Sequence, residues 1–112
     1  LVKKNLAISV QQKKESLNLK PETLQVLQAG LRSVVSKGTG QALNATRLPP
    51  VSGKSGTAED PPRPTHAWFG AYAPSDKPEI VVVAFAENAG GGGGAISAPM
   101  VRQVMETYFK TK

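Results

Sequence analysis

Two segments of the chain repeat apolar residues at the spacing of an α-helix. In the first, Pro21 suits an opening turn, Lys37-Gly38 suits a stop, and five apolar residues recur at intervals of three and four: Leu24, Leu27, Leu31, Val34 and Val35. The second starts near Ser97 or Pro99 and carries one stripe of Val101, Val104, Met105 and Tyr108. The pattern predicts helices near 21–37 and 98–110, each with an apolar stripe facing a core.

Three segments between the helices have the pattern of β-strands, near 51–58, 65–73 and 79–87. A proline-rich loop at 60–64 and a turn at 74–78 separate them. The run from Ile80 to Ala86 is apolar without interruption, which predicts a central strand buried on both faces. Short connections favour an antiparallel sheet. We therefore predict an α+β fold in which two helices pack on one face of that sheet.

The remaining segments are predicted to lie at the surface or to lead into the fold. Alternation over Asn5–Gln11 predicts a half-buried strand, which Lys13 and Lys14 interrupt. Gln41–Pro50 is expected to form a surface connection, because a Pro-Pro pair cannot lie in a central strand. Residues 1–20 are interpreted as a basic, extended lead-in, and 21–112 as helix, three strands and helix.

The positive charge does not indicate nucleic-acid binding. Fourteen Lys and Arg against eight Asp and Glu give +6, but residues 1–20 hold five lysines and one glutamate, so the remaining 92 residues carry only +2. Aromatic residues are sparse and do not alternate with basic ones, as they do in single-strand binders. We expect no nucleic-acid partner.

The sequence also argues against a metal site and a cofactor. It has no cysteine and one histidine, too few for a zinc site. Gly90-x-Gly92-x-x-Ala95 formally matches the dinucleotide fingerprint, but no second strand or ribose-binding acid follows it. We interpret the run Gly90–Gly94 as a flexible or close-approach connection and expect no metal and no cofactor.

The candidate site is the segment Val51–Glu59, V-S-G-K-S-G-T-A-E. Two glycines around Lys54 leave room for an extended ligand to pair with the backbone as an added strand. Lys54 supplies a charge with three donors, and the hydroxyls of Ser55 and Thr57 fall on one face of a strand, spaced to hold a carboxylate. A solvated turn has a similar composition, so the surrounding sequence must decide between the two readings.

Five features, in order, decide it. They are G-L-R-S-V-V-S-K-G-T-G (30–40), G-K-S-G-T-A-E (53–59), H-A-W-F-G-A-Y-A-P (66–74), E-N-A-G-G-G-G-G (87–94) and A-P-M-V (98–101). In these features the chain resembles the C-terminal part of the transpeptidase domain of class B penicillin-binding proteins, most like the elongation type. The Lys-Ser-Gly triplet corresponds to one of three short motifs of that family.

The resemblance implies a peptidoglycan D,D-transpeptidase that cross-links stem peptides through an acyl-serine intermediate and is acylated by beta-lactams. It implies catalytic roles for Lys54, in the polar network of the nucleophile, and for Thr57, whose backbone N–H is one oxyanion donor. Ser55, Gly56 and Thr57 would bind the substrate, with the two hydroxyls receiving its carboxylate. A periplasmic location on the bacterial inner membrane and a membrane-anchored parent are implied as well; no anchor is predicted in this chain.

His66 and Trp68 are candidates for the wall of the pocket. A lone histidine that opens a strand is more often structural than a general base. Trp68 is interpreted as a core residue in preference to a pocket residue. Both share one face of the second predicted strand.

The chain departs from the family pattern in one decisive respect, because it contains no Ser-x-x-Lys and so lacks the family's nucleophile. Ser16-Leu17-Asn18 spells the second family motif but is interpreted as accidental, since it lies too close to Lys54 in the sequence. We expect residues 1–112 to be a C-terminal fragment of a single transpeptidase domain, inactive alone, needing the missing N-terminal part and tending to self-associate. A stand-alone module that binds peptide carboxylates at the same edge is the alternative.

Overall fold

The computed structural model of the chain describes residues 10–111. The regular elements are, in order, helix α1 (Pro21–Ser36), a 3-10 turn (Gln41–Leu43), strands β1 (Ser52–Asp60), β2 (Arg63–Ala73) and β3 (Ile80–Ala86), a π-helical turn (Gly93–Ser97) and helix α2 (Ala98–Lys110). All elements predicted within the described range are present, with slightly shifted bounds. The strand predicted at Asn5–Gln11 falls mostly on residues outside that range.

The three strands form one antiparallel sheet in the order β1-β2-β3. β2 is the central strand: Phe69, for example, pairs with Ser55 of β1 and Ala84 of β3. Short loops join sequential strands, as expected for an antiparallel meander. The predicted α+β architecture is confirmed.

One face of the sheet, here called the inner face, carries the core. Alternate residues of β2 are buried on it: Ala67, Phe69, Ala71 and Ala73. The side chains that pack against them include Val35 from α1 and Val101 and Met105 from α2. Each fully buried Val, Met or Phe stabilises the fold by about 1.5–3 kcal/mol. Both helices therefore cover the same face, as predicted.

The prediction for β3 was wrong in one respect. β3 lies at an edge of the described sheet, and its side chains alternate between half-buried and exposed. Val82 and Ala84 pack towards the core, whereas Val81 and Val83 on the outer face are 71% and 61% exposed. An uninterrupted apolar run shows that both faces of a strand are apolar, but it does not show which strand is central.

The apolar stripe of α1 is only partly core. Val35, near the C-terminal end of α1, is fully buried, but Leu24 and Leu27 are about half exposed. With Leu17 and Leu19 from the preceding segment they line an open apolar groove. The prediction that the whole stripe lies in the core is therefore corrected.

The stripe of α2 is rotated from the predicted one. Val101 and Met105 are fully buried, and Phe109 packs against the core, but Val104 is mainly exposed. A spacing of four from Val101 through Met105 to Phe109 marks the buried side of this helix.

The connection at Gln41–Pro50 is less superficial than predicted. Its 3-10 turn buries Leu43 completely, and Leu48 is also buried. Both leucines belong to the core cluster. The two prolines at 49 and 50 lie outside the strands, as predicted.

Within residues 10–111, neither helix combines the length and apolar character that crossing a membrane would require.

Candidate active site

Hydrogen bonds hold the start of strand β1 in place beside the candidate site. The guanidinium of Arg32 in α1 donates to the carbonyl oxygen of Val51 at 2.7 Å. Next to it, the hydroxyls of Ser52 and Ser75 share a hydrogen bond of 2.8 Å, and the Ser75 amide donates to the carbonyl of Pro50. These bonds tie the start of β1 to α1 and to the β2–β3 turn, so the strand that carries Lys54 begins from a defined position.

Lys54 lies on the outer face of β1, opposite Gly70 in the strand register. Because Gly70 has no side chain, the outer face beside Lys54 is open. The lysine is exposed, and its ammonium donates to the carbonyl oxygen of Ser55 at 2.8 Å. The positive charge therefore lies at the strand backbone.

In the sheet that residues 10–111 form, β1 is an edge strand, so half of its backbone groups have no partner strand among those residues. Backbone groups of successive residues point to opposite sides. Gly56 pairs with Trp68 of β2. A β-carbon built on Gly93 would lie 3.0 Å from the Gly56 nitrogen and would also overlap the Trp68 carbonyl oxygen, so these two backbone atoms are close together. The amide of Gly56 therefore faces β2. The amides of Ser55 and Thr57 therefore face the free edge.

Ser55 and Thr57 share the inner face of β1, as the alternation predicts. Ser55 is half-buried and Thr57 is exposed. The hydroxyl of Ser55 forms a 2.9 Å hydrogen bond with that of Thr39, in the loop after α1. Sequence reasoning missed Thr39; the one available signal was its place between two glycines, Gly38 and Gly40, within the first of the five sequence features.

The glycine run passes directly over this strand. Gly93 is buried against the backbone of Gly56 and Trp68, and Gly92 lies near the Thr57 hydroxyl. Gly94 lies against the backbone of Thr39. No side chain larger than hydrogen fits at Gly93 or Gly94 without movement, which explains the run as a close approach of two backbones.

His66 belongs to a polar network at the far end of the β1–β2 hairpin. It pairs with Ala58, four residues along β2 from the partner of Lys54, which is about 13 Å at strand spacing. Its Nδ1 accepts the backbone N–H of Asn88 at 2.9 Å, and its Nε2 lies 3.4 Å from the Asp60 carboxylate. A neutral His66 therefore carries its proton on Nε2.

Asp60 is the centre of that network. Arg63 donates two hydrogen bonds to its carboxylate, at 2.7 and 2.8 Å, and Asn88 donates a third at 3.1 Å. The Arg63 bonds, followed by the Asn88 bond and the charge of His66, lower the pKa of Asp60 from 3.8 to about 2. The network ties the hairpin loop to the segment that leads into the glycine run, which fits a structural role for His66; a role in a pocket wall stays a prediction.

Trp68 is not a core residue, so that interpretation was wrong. It lies on the outer face and is 41% exposed, with its ring centroid 4.3 Å from that of Phe85. Gly56, its register partner, leaves its other side open. Its place on the wall of a pocket stays a prediction.

The Ser16-Leu17-Asn18 triplet has a local structural explanation, and the described residues offer no metal site. The Ser16 hydroxyl donates to the side-chain oxygen of Asn18 at 3.0 Å and accepts the backbone N–H of Asn18 at 3.1 Å, in an exposed segment before α1. Among residues 10–111, no three His, Asp or Glu side chains come together as ligands of a metal.

Comparison with known families assigns the fold. The protein-family model of the penicillin binding protein transpeptidase domain matches residues 1–106 of the sequence. The chain belongs to that family. The resemblance inferred from the five sequence features is confirmed.

Relatives of this chain agree with the class B, elongation-type assignment. Peptidoglycan D,D-transpeptidase MrdA of Haemophilus influenzae is 40% identical over 100 residues, which cover 74% of this chain and 15% of the relative. The crystal structure of Pseudomonas aeruginosa PBP2 in complex with WCK 5153 matches 91% of this chain and 23% of its own, with a TM-score of 0.75 and 30% identity.

A third likeness concerns the fold alone. Penicillin-binding protein A from M. tuberculosis, solved as an imipenem acyl-enzyme complex, has a TM-score of 0.64 and 24% identity, and the match covers 84% of this chain and 20% of that one. The chain thus spans between a seventh and a quarter of the length of these relatives.

Proposed function

We propose that this chain supplies the substrate-binding and oxyanion edge of a peptidoglycan D,D-transpeptidase. The observation that carries the proposal is the free edge of β1, where the Lys54 ammonium and the outward-facing amide of Thr57 occur on the same short segment. Membership of the transpeptidase family and the names of the relatives support it. The chain would form the C-terminal part of the transpeptidase domain.

The substrate is a stem peptide whose last residue carries a free carboxylate. Such a peptide can lie along the free edge of β1 as an added strand, because Gly56 presents no side chain. The hydroxyls of Ser55 and Thr57 are donors suited to the carboxylate, and the Lys54 ammonium adds positive potential. Beta-lactams carry a comparable carboxylate, and a complex with a beta-lactam is known for a relative of the same fold.

The reaction is acyl transfer in two steps. The hydroxyl oxygen of a serine in the N-terminal part of the domain forms a bond to the peptide carbonyl carbon, and the terminal D-alanine leaves with the proton on its amine. The amine of a second stem peptide then attacks the acyl-serine, which releases the serine hydroxyl and forms the cross-link. Lys54 would hold the polar network that serves this serine, and the Thr57 amide would donate to the oxyanion of each step.

The partners follow from this reaction. The chain needs the serine-bearing N-terminal part of its domain, and its ligands are stem peptides and beta-lactams. Because peptidoglycan is built outside the inner membrane, the parent protein would act on the periplasmic face, held there by an anchor elsewhere in the protein.

The test is acylation of the full-length protein by fluorescent penicillin. Lys54→Ala should abolish labelling while the melting temperature stays unchanged, because Lys54 is exposed and contributes little to stability. Ser55→Thr should be labelled normally, since it keeps the hydroxyl on the same face. Lys77→Ala, which removes an exposed lysine from the β2–β3 turn, is the matched control. Labelling of Lys54→Ala at the wild-type rate would contradict the assignment.

A separate experiment distinguishes the alternative, a stand-alone module for peptide carboxylates. Residues 1–112 alone, incubated with penicillin and examined by intact-mass spectrometry, should show no covalent gain, because they contain no Ser-x-x-Lys. A covalent adduct on any serine of the chain would overturn the fragment interpretation. Micromolar binding of a D-Ala-D-Ala peptide by the chain alone would favour the module.

A further inference from the structure

Thr39 reaches the candidate site from outside β1. Its hydroxyl oxygen lies 2.9 Å from that of Ser55, although the two residues are 16 positions apart. Thr39 is exposed and Ser55 is half-buried, so this hydroxyl pair lies at the surface beside the exposed Thr57. A ligand at the edge of β1 can therefore reach it.

The backbone on both sides of Thr39 is fixed. The Gly38 amide donates to carbonyls in the last turn of α1, and the Gly40 amide donates to the carbonyl of Val34 at 2.9 Å. From the other side, Gly94 lies against the Thr39 backbone so closely that a β-carbon on Gly94 would overlap the Thr39 carbonyl. Thr39 is thus held between the end of α1 and the glycine run, which makes its hydroxyl a fixed partner for Ser55.

Two hydroxyl groups carry two protons, and the hydrogen bond between them uses only one, so the other can be donated to a ligand. When Thr39 donates to Ser55, the proton of Ser55 stays free for an anion, and the donated bond polarises the Ser55 hydroxyl and strengthens it as a donor. An anionic ligand at Ser55 favours this direction of the pair. The bond also restricts the Ser55 side chain to one rotamer, so less freedom is lost when the ligand binds.

We propose that Thr39 is a positioning residue for carboxylate recognition: it orients the Ser55 hydroxyl towards the terminal carboxylate of the stem peptide or beta-lactam. This inference rests on the proposed function and adds a third residue, from a different element, to the carboxylate site. Thr39 acts through Ser55, so its removal changes binding of the carboxylate and leaves the acylation step itself unchanged.

The test uses the full-length protein and Thr39→Val, which keeps the shape of the side chain and removes its hydroxyl. The apparent dissociation constant for benzylpenicillin before acylation should rise about 3- to 10-fold, the effect of one lost hydrogen bond, and the acylation rate constant at saturation should change less than about twofold. Thr39→Ser should restore the wild-type constant. Thr23→Val, at an exposed position in the first turn of α1, is the matched control.

Two further comparisons separate positioning from a general structural effect. For the methyl ester of benzylpenicillin, which lacks the anionic carboxylate, Thr39→Val should change the same constant less than about twofold. In a Ser55→Ala background, Thr39→Val should also have little further effect, because a residue that acts through Ser55 has nothing left to orient. Equal weakening of the acid and the ester, or full additivity with Ser55→Ala, would overturn the proposal.

The outcomes also separate this proposal from the one on which it rests. If the wild-type protein is acylated and Lys54→Ala is not, but Thr39→Val binds benzylpenicillin like the wild type, then the role of Thr39 is refuted and the transpeptidase assignment stands. If the wild-type protein is not acylated at all, both proposals fail.

Discussion

Gly93 lies directly on the backbone amide of Gly56, so the glycine run and the strand that carries Lys54 touch without side chains between them. A β-carbon on Gly93 would lie 3.0 Å from the Gly56 nitrogen and would overlap the carbonyl of Trp68. The contact fixes the distance between the π-helical turn and β1. Any enlargement at Gly93 must move one of these two backbones.

Gly93→Ala should therefore destabilise the fold and distort the free edge of β1. Overpacking of this kind costs about 1–3 kcal/mol, and here the obstacle is backbone that cannot rotate away. Thermal unfolding followed by circular dichroism measures the loss.

Gly30→Ala is the matched control for that substitution. Gly30 lies inside α1, and apart from its chain neighbours and the adjacent helix backbone no atom lies within 4 Å of an added β-carbon. In an exposed helix interior, alanine is favoured over glycine by about 0.5–1 kcal/mol, so this variant should be more stable than the wild type. A Gly93→Ala variant that melts at or above the wild-type temperature would show that the close contact is wrong.

The two proposed functions of Thr57 can be separated by substitution. Thr57→Ala removes the hydroxyl and keeps the backbone N–H, so it should weaken carboxylate binding only. Thr57→Pro removes the N–H as well; because that N–H faces the free edge, the β1–β2 ladder stays intact. In the full-length protein, penicillin acylation by the proline variant should be about 10²- to 10³-fold slower than by the alanine variant.

The melting temperature is the control for that comparison. If the proline variant melts far below the alanine variant, its slow acylation results from disruption of β1 and not from the lost donor. Equal acylation rates of two well-folded variants would exclude the Thr57 amide as an oxyanion donor.

The pKa of Asp60 predicts how the hairpin network responds to acid. Its folded pKa is about 2, below the ordinary value of 3.8, chiefly because Arg63 donates to it. The contribution of the carboxylate to stability is therefore complete above about pH 4 and is lost as the pH falls towards 2. Melting temperatures of the wild type and Asp60→Asn should differ at pH 5 and converge near pH 2. A difference that persists unchanged at pH 2 would contradict this.

Local patterns in the sequence predicted most of the architecture. Pro21 and Gly38 bracket α1, the alternation over His66–Tyr72 marks β2, and short loops make the sheet antiparallel. Position within the sheet was not predictable, because Ile80–Ala86 is apolar on both sides whether or not its outer face is covered. Which face of the strand is buried depends on the side of the sheet on which the helices pack. That packing depends on contacts between residues remote in sequence.

The candidate site, too, could be predicted only where it depends on local sequence. The segment around Lys54 could be read from the sequence, since glycines and hydroxyl residues alternate there. Thr39 could not, because its contact with Ser55 depends on how the end of α1 meets β1. His66 and Trp68 share a face by alternation, but only the three-dimensional pairing assigns one to the Asp60 network and the other to Phe85.

The outer face of the sheet predicts how the chain behaves alone. Four apolar side chains are exposed there and form what we call the sheet patch: Trp68, Val81, Val83 and Phe85. β3 also lies at an edge of the described sheet, with backbone groups available to pair with another chain. An apolar face next to an open edge favours association. Residues 1–112 should therefore show a mass that rises with concentration in light scattering.

Val83→Lys tests whether the sheet patch drives that association. It places a charge in the middle of the patch and beside the open edge, so the mass should fall towards that of a monomer. Val26→Lys, on the exposed side of α1, adds the same charge to a residue that is 72% exposed and should leave association unchanged. Because both substitutions raise the net charge equally, a difference between them reports the patch and not general repulsion. A strict monomer at high concentration, or equal suppression by both variants, would contradict the prediction.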